Sequence, residues 1–439
     1  MLKTYFLLFT LMLFTFSFSQ KKWGLQECVD YAYENTLSVK LSKINEKIQE
    51  KSVQISKNEW LPSVNGNFNN NLNFGPRLDP LTGSFFNKLS YSHNFGIDAN
   101  MILWQKDKQK LDIKKSGINF EAQQWNTESL KNDIALQVVS YYLQIILNKE
   151  LLSVSDRQKK IGADQLDKTE KLYKAGSIPF SNLATEQANF AANKQNYETA
   201  LINIERAKFQ LANLLQLPDY KIFDVHNISL PDNLTLGLEN VNEIIEFAYQ
   251  NQPAVKQALS NKEASELDVD IANVALWPTV TGTYSLGTSY NNGFEGGDKG
   301  LFNQWSNNYS QGIALGVNIP IFNKGNTKLR IEQAKINTEI YDNAIEQEKL
   351  KVKQNIQTAY FDANAAYQTY INAKEAEKAA GISYKYADLS YKAGKITIYE
   401  FNINRNNLAI AESQSIQAKF DFIFKLKVLD FYAGRPLGL

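Results

Sequence analysis

The chain repeats its own residue pattern about halfway along its 439 residues. Residues 25–35 align with residues 241–251 at an offset of 216, with apolar residues matching apolar residues and acids matching acids. Further along, the sequence Tyr-Lys-Ala-Gly at 173–176 recurs at 391–394, at an offset of 218. Self-similarity at a nearly fixed offset predicts that the two halves of the chain share one architecture.

The first 19 residues differ in composition from the rest of the chain. Lys3 is their only charged residue, and the apolar run that follows is shorter than the roughly 20 residues that a membrane-spanning helix needs. Ser17 and Ser19 supply the small residues that a signal peptidase reads. We predict a signal peptide and a mature chain that begins at Gln20. No later window approaches the length of an apolar membrane helix, so none is predicted.

The repeat and the changes of hydrophobic period predict the domain organisation. The predicted divisions are a signal peptide at 1–19, a first structural repeat at 20–220, a linker at 221–238 and a second structural repeat at 239–439. The elements predicted within the repeats are strand pairs at about 62–103 and 278–322, long helices at 104–174 and 324–391, hairpin tips at about 175–180 and 393–398, and a returning helix after each tip.

Strict alternation of apolar and small polar residues follows Pro62 and Pro278. In the first run Val64 and Phe68 fall on one face of the predicted strand, and asparagines fall on the other. Each run has at least about ten residues, which is the length that a tilted strand needs to cross a bilayer. A soluble sandwich would alternate as well, so that interpretation stays open on this pattern alone.

Four strands per chain cannot close a barrel, and lipid does not tolerate open sheet edges. Several chains must therefore contribute strands, and three chains would supply enough for a barrel wider than one filled by its own side chains. The polar face would then line a weakly charged lumen. The predicted lumen residues are Asn65, Asn67, Asn69, Asn71, Asn94 and Asn100.

Two proline-free stretches predict helices of unusual length, at 104–174 and 324–391. Seventy helical residues would measure about 105 Å at 1.5 Å per residue. Helices this long cannot be buried in one compact domain and are expected to pack side by side as a coiled bundle. Gly176 and Gly394 follow the ends of these helices and are expected to form the turns of two helical hairpins.

Composition excludes several classes of function. The chain has one cysteine and two histidines, which cannot supply a disulfide framework, a Cys-based zinc site or a histidine relay. With 47 basic and 46 acidic side chains there is no electrostatic reason to expect a nucleic-acid surface. Acidic pairs such as Glu263 and Glu266 have the spacing of a solvated helix face. We predict no enzymatic activity, no cofactor and no metal site, and we expect Cys28 to be buried in a helix.

These features together resemble the TolC-like family of outer-membrane efflux proteins. The resemblance rests on the signal, the duplicated order of elements, the Tyr-Lys-Ala-Gly hairpins and the Trp-Leu-Pro and Leu-Trp-Pro strand entries at 60–62 and 276–278. It implies a mixed α and β membrane protein with two internal repeats and four strands per chain. In such a protein a long α-helical barrel in the periplasm is continuous with a transmembrane β-barrel in the outer membrane, and trimerisation closes both.

The resemblance also implies a function and partners. The chain would be the passive exit duct of a tripartite efflux pump, acting with an inner-membrane transporter and a periplasmic adaptor. Two alternatives stay open: the outer-membrane channel of a type I protein secretion system, and an exported coiled-coil structural protein or adhesin. The transported substrate is not indicated by any residue pattern.

The family pattern further assigns residues of a periplasmic aperture at the hairpin tips. Its tip tyrosine matches Tyr391, and its constricting acid matches Glu400, with Asn182 as the equivalent in the first half. An arginine latch and a second acidic position of the family align with Ile396 and Ile403, so an aperture closed by apolar packing is expected here. The tips at Gly176 and Gly394 are expected to dock the adaptor.

Overall fold

The structure is a computed structural model that describes residues 22–78, 83–87, 89–228, 234, 236–237, 240–292 and 300–435. The predicted signal peptide at 1–19 lies outside the described residues, as does part of the predicted linker.

The helices of the described residues are α1 Leu25–Asn35, α2 Leu37–Asn58, α3 Lys108–Lys174, α4 Phe180–Leu215, α5 Val241–Asn251, α6 Pro253–Val274, α7 Leu301–Asn307, α8 Asn326–Lys392 and α9 Ile398–Tyr432. The strands are β1 Lys22–Trp23, β2 Ser63–Asn73, β3 Pro76–Leu78, β4 Phe85–Asn87, β5 Ser90–Trp104, β6 Asp224–Val225, β7 Thr279–Asn291 and β8 Ser310–Asn318. Within this described part no helix is both long enough and apolar enough to cross a membrane.

Helices of matching length occur in the same order in both halves of the chain. The helices α1, α2, α3 and α4 have 11, 22, 67 and 36 residues, and α5, α6, α8 and α9 have 11, 22, 67 and 35. The long helix α3 begins four residues after the predicted boundary because Lys106 and Asp107 have positive φ angles. Strand β8 ends before the predicted boundary near 322, since Pro320 has no N–H to donate to a sheet ladder.

The chain divides into two compact units. The helical unit comprises the described residues within 1–43, 125–256 and 347–439, and the sheet unit comprises those within 44–124 and 257–346.

The core of the helical unit is centred on the middle of α3. Tyr142 has no exposed surface, and its hydroxyl donates a hydrogen bond to the carbonyl oxygen of His226 at 3.0 Å, with the carbonyl oxygen of Trp23 also within reach at 3.3 Å. Cys28 packs in the same cluster with no exposed surface, which confirms the predicted buried cysteine. Burial raises the pKa of the Cys28 thiol to about 12, so the thiol stays protonated at neutral pH. A second cluster is formed where α5, α8 and α9 pack together.

The sheet unit contains an antiparallel sheet with the strand order β2-β5-β7-β8. Its central ladder joins β5 to β7 and pairs Ile97 with Leu286 and Ala99 with Tyr284. On one side of it Phe68 of β2 lies opposite Phe95, and on the other Ile313 of β8 lies opposite Tyr284. The alternating apolar residues of all four strands therefore share one face of the sheet, because side chains alternate between faces along each strand.

Candidate functional site

The helical unit contains two helical hairpins whose tips end in the same geometry. After α3, the amide of Gly176 donates to the carbonyl of Tyr173 at 2.9 Å, and after α8 the amide of Gly394 donates to that of Tyr391 at 2.9 Å. The amide after each glycine donates to the carbonyl five residues earlier: Ser177 to Leu172 at 2.9 Å, and Lys395 to Ser390 at 2.8 Å. These hydrogen bonds complete a Schellman motif in each tip. The φ angles of 72° and 65° at the two glycines are left-handed, so a glycine is the residue that fits without strain.

The second tip leads into α9 through a capping box. The side chain of Thr397 accepts a hydrogen bond from the amide of Glu400 at 3.2 Å, and the amide of Thr397 donates to the Glu400 carboxylate at 2.8 Å. These hydrogen bonds from Thr397 hold the pKa of Glu400 below its ordinary value. The predicted aperture acid is therefore ionised at neutral pH, and one of its oxygens also fixes the start of the helix.

Tyr391 connects the two hairpins. Its hydroxyl accepts a hydrogen bond from the side-chain amide of Gln165 on α3 at 3.0 Å. Its ring stacks on Phe401 of α9, with 4.9 Å between ring centroids and 20° between ring planes. The same side chain thus contacts α3 and α9 while it belongs to α8. A further link lies away from the tips, where Arg157 of α3 pairs with Glu412 of α9 at 2.9 Å.

A buried polar cluster ties α4 to α9. Glu186 is 1% exposed, and its carboxylate accepts hydrogen bonds from Asn189 at 3.1 Å and from Asn402. Arg405 is 5% exposed, and burial lowers the pKa of its guanidinium while the neighbouring Glu186 carboxylate opposes that change. One oxygen of Glu186 and one nitrogen of Arg405 have no hydrogen-bond partner among the described residues.

Two of the predicted aperture residues lie along one groove between these helices. Asn182 and Ile403 both line a groove of about 890 Å³ together with Asn402 and Arg405. Amide side chains make up much of the remaining lining, including Asn189, Asn193, Asn196, Asn406, Gln414 and Gln417. Ile403 is 42% exposed and Ile396 is half-buried, so Ile403 presents an apolar side chain at the polar groove.

The predicted lumen residues share the second face of the sheet. Asn69 of β2 lies directly opposite Asn94 of β5, and Asn100 of β5 lies opposite Ser63. The side chain of Asn67 donates to Asp98 at 3.1 Å, and Thr283 of β7 donates to Asn100 at 3.0 Å. Asn65 lies opposite Asp98 and Asn71 lies opposite Ser92, so both asparagines are on the same face of the sheet. This face therefore forms a continuous layer of small amides and hydroxyls across three strands.

Neither region has the arrangement of a catalytic centre. Over the described residues there is no group of three or more His, Cys, Asp or Glu side chains that could hold a metal ion. The perturbed carboxylate at the tips caps a helix, and the buried Glu186 is bound by amides. What this geometry can do is hold helices together and present a polar surface that is made mainly of amides and hydroxyls and includes the Asp98 carboxylate.

Solved structures with the same fold are outer-membrane channels. The CmeC channel of Campylobacter jejuni superposes with a TM-score of 0.75 at 18% identity, covering 93% of this chain and 85% of that chain. The open-state MtrE channel of Neisseria gonorrhoeae superposes with a TM-score of 0.73 at 19% identity, covering 94% and 89%. The fold is thus that of a TolC-like outer-membrane channel.

The sequence model of the family described as "Outer membrane efflux protein" matches residues 29–216 and 244–434. The chain belongs to the outer membrane efflux protein family. Its relatives include the outer membrane efflux protein BepC of Brucella suis biovar 1, 22% identical over 410 residues that cover 92% of this chain and 84% of BepC. The outer membrane protein TolC of Escherichia coli K12 is 22% identical over 354 residues, covering 76% and 70%.

Family membership confirms several predictions from the sequence. The protein is an efflux channel of the outer membrane, and it belongs to a family of passive channels rather than enzymes. It also decides against the coiled-coil adhesin alternative and the soluble sandwich, since the fold is that of the channels.

Sequence reasoning missed the residues that tie the hairpins together. Gln165, Glu186 and Arg405 were hidden among many other polar helix residues. A signal was available for two of them: Glu186 follows the buried Leu183 by three positions, and Arg405 follows the buried Phe401 by four. A charge on the buried stripe of an amphipathic helix indicates a buried polar contact.

Proposed function

We propose that the chain is the exit duct of a tripartite efflux pump and that three copies close one channel. The observation that carries this proposal is that both edge strands of the sheet have an unpaired edge among the described residues. Strand β2 pairs only with β5, and β8 pairs only with β7, so each has one unpaired edge among the described residues. All nine residues of β8 are exposed. Long exposed edges are a hazard in a monomer, and closure with other copies removes them.

The two faces of the sheet support closure into a transmembrane β-barrel. The apolar face includes Ile313 and Leu315, which are 88% and 68% exposed. Such a face suits contact with lipid, while the amide face suits a water-filled lumen. Three copies of the four-stranded sheet would supply twelve strands. A barrel of that size encloses a lumen rather than filling it with its own side chains.

Exposed apolar side chains that recur along one side of the helices support closure of an α-helical barrel in the periplasm. On α8 the side chains of Leu329, Ile336 and Ile340 are 61%, 60% and 60% exposed and recur at spacings of seven and four residues. On α9 Ile403 and Ile410 are 42% and 48% exposed, seven residues apart. Spacings of this kind are those of coiled-coil contacts. Each copy would contribute its two structural repeats, 20–220 and 239–439, to the same channel.

The aperture would lie at the hairpin tips. Ile396 and Ile403 would narrow it by apolar packing, Glu400 and Asn182 would supply its polar ring positions, and Tyr391 would hold the hairpins in the closed arrangement. A charge at the apolar position should open it, so we expect Ile396→Asp to raise single-channel conductance in planar bilayers. An unchanged small conductance would count against this aperture.

The partners would be a periplasmic adaptor and an inner-membrane transporter. The tips at Gly176 and Gly394 are exposed, and they would present the hairpin turns to the adaptor. The amide-lined lumen has few charges, so it would pass varied solutes without binding any tightly. Substrate choice would then lie in the transporter and the adaptor.

The mass of the protein extracted from outer membranes tests the duct directly. Protein purified in detergent should have the mass of three copies and should form channels in planar bilayers. A monomer that leaves both sheet edges bare would contradict the proposal.

A second candidate is the outer-membrane channel of a type I secretion system. It is favoured by one relative, the toxin and drug export protein A of Aggregatibacter actinomycetemcomitans, which is 23% identical over 344 residues covering 76% of this chain and 70% of that protein. Deletion of the gene separates the two candidates. Loss of a secreted polypeptide with unchanged drug tolerance would support secretion, and increased drug sensitivity with normal secretion would support efflux.

A further inference from the structure

A belt of exposed aromatic and aliphatic residues lies along one end of the four-stranded sheet, where the strands meet the long helices. Trp60, Trp104 and Trp277 are 41%, 44% and 48% exposed, and Ile321 and Phe322 are 93% and 83% exposed. These residues lie at or next to the ends of β2, β5, β7 and β8, and the strand register brings these ends together. Ser63 lies opposite Asn100, Trp104 opposite Val280, and Thr279 opposite Asn318. Tryptophan exposed in this way is typical of the boundary between lipid and water.

Two lysines occupy the same unusual backbone position in this belt. The turn Trp-Gln-Lys-Asp at 104–107 and the turn Phe-Asn-Lys-Gly at 322–325 are separated by the repeat offset of 218. Lys106 has a φ of 24° and Lys324 a φ of 61°. Glycine, asparagine or aspartate is the usual residue at such angles, and a lysine there is disfavoured. A disfavoured residue that occurs at the matching place in both turns indicates a role for its side chain.

Both turn lysines lie outside the ion pairs of the belt. Both are exposed, and neither forms an ion pair with any residue that the structure describes. The ammonium of Lys106 lies 4.8 Å from the centre of the Trp277 ring, at the belt itself. The acid beside it, Asp107, pairs instead with Lys110 at 2.9 Å. The pKa of Asp107 is lowered mainly by its hydrogen bond and ion pair with Lys110 and, to a smaller extent, by the charge of Lys106.

The belt as a whole carries an excess of positive charge. Residues 56–61, 103–112, 274–278 and 319–330 contain seven basic and three acidic side chains. Two of the three acids, Asp107 and Asp112, are already paired with lysines. The positive charge of the belt, next to its exposed tryptophans, is complementary to a lipid surface with anionic headgroups.

We propose that Lys106 and Lys324 bind the phosphate groups of anionic phospholipids at this end of the sheet. The inference rests on the proposed function, since it requires the sheet to be part of a lipid-embedded barrel. The belt residues would contact the acyl chains and glycerol region, and each turn lysine would reach one headgroup phosphate. Removal of one lysine near an anionic lipid surface should weaken binding about fivefold.

The test uses the full chain in detergent, with bound phosphatidylglycerol measured by native mass spectrometry against phosphatidylcholine. The variants Lys106→Gly and Lys324→Gly suit it because glycine accepts a positive φ, so they relieve backbone strain and should fold. We expect each to weaken phosphatidylglycerol binding about fivefold, with phosphatidylcholine binding unchanged. Arginine at either position should retain binding. The matched control Lys328→Gln removes an exposed charge four residues after Lys324, outside the left-handed turn, and should weaken phosphatidylglycerol binding less than either turn variant does.

Each other outcome overturns the site in a distinguishable way. Equal binding by wild type and both glycine variants would refute it. Equal weakening by Lys328→Gln would show a diffuse charge effect instead of a site, and displacement by millimolar inorganic phosphate would identify a free-anion site. Insertion of wild type into pure phosphatidylcholine vesicles separates the two proposals: no insertion refutes the barrel, whereas insertion without any preference for phosphatidylglycerol refutes only the lipid site.

Discussion

The hydrogen bond between Tyr391 and Gln165 allows a direct test of the proposal that Tyr391 holds the aperture closed. The variant Tyr391→Phe removes the hydroxyl that accepts from Gln165 at 3.0 Å and keeps the ring that stacks on Phe401 at 4.9 Å. A neutral intramolecular hydrogen bond of this kind contributes about 1 kcal/mol. If three copies open together, the loss is about 3 kcal/mol, which is on the order of a 100-fold shift toward the open channel.

The assay is single-channel conductance and open probability in planar bilayers, with drug tolerance of the expressing strain as a second readout. Tyr386→Phe is the matched control, because it makes the same chemical change on the same helix at a side chain that is 68% exposed. The open probability of the Tyr391→Phe channel should be higher than that of wild type, and the open probability of the Tyr386→Phe channel should equal that of wild type.

A double-mutant cycle with Gln165→Met separates this hydrogen bond from other effects. The two changes together should open the channel no more than either one alone, because each removes the same interaction. Open probability at the wild-type level in Tyr391→Phe, or fully additive effects in the double variant, would refute the assignment of Tyr391 as the tie between hairpins.

Three further predictions concern the folded chain. Gly394→Ala places a side chain at a φ of 65° and should lower the thermal midpoint by an amount equivalent to about 1 kcal/mol; an unchanged midpoint would contradict the turn geometry. Tyr142→Phe leaves the carbonyl of His226 without its donor and should cost about 1–3 kcal/mol in chemical unfolding. The pKa of Glu400 is lowered by its hydrogen bonds from Thr397, so its stabilising effect on the tip is complete above the ordinary carboxyl range and is lost as the pH falls through the lowered pKa. The protection factors of the tip amides, which are the intrinsic exchange rates divided by the observed rates, should therefore fall only at acid pH, and Glu400→Gln should remove that pH dependence.

Several elements were predictable because their physical cause is local. Alternation from Pro62 onward assigns each side chain to a face, and strand β2 extends over Ser63–Asn73. The Tyr-Lys-Ala-Gly sequences predict helix ends because glycine accepts the left-handed angle, and Gly176 and Gly394 have φ angles of 72° and 65°. The aperture residues came from the family resemblance alone and remain a proposal.

The ends of elements were less predictable. Lys106 and Lys324 occupy left-handed positions that lysine rarely takes, so the start of each long helix could not be located by residue preference. The sequence does contain the capping pattern Thr-x-x-Glu at 397–400, but Glu400 was assigned only to the aperture, and its role in capping the helix was missed.

The sequence alone determined which residues face the same way and where the chain turns, because side-chain direction and turn conformation depend on neighbours a few residues apart. Tertiary structure decided which strands are neighbours: β5 pairs with β7, so Tyr290 lies opposite His93 almost two hundred residues earlier in the chain. It also decided that Glu186 and Asn402 meet and that Arg405 is buried beside them. These contacts join residues far apart in sequence, and only the packing of whole helices and strands against one another brings them within hydrogen-bonding distance.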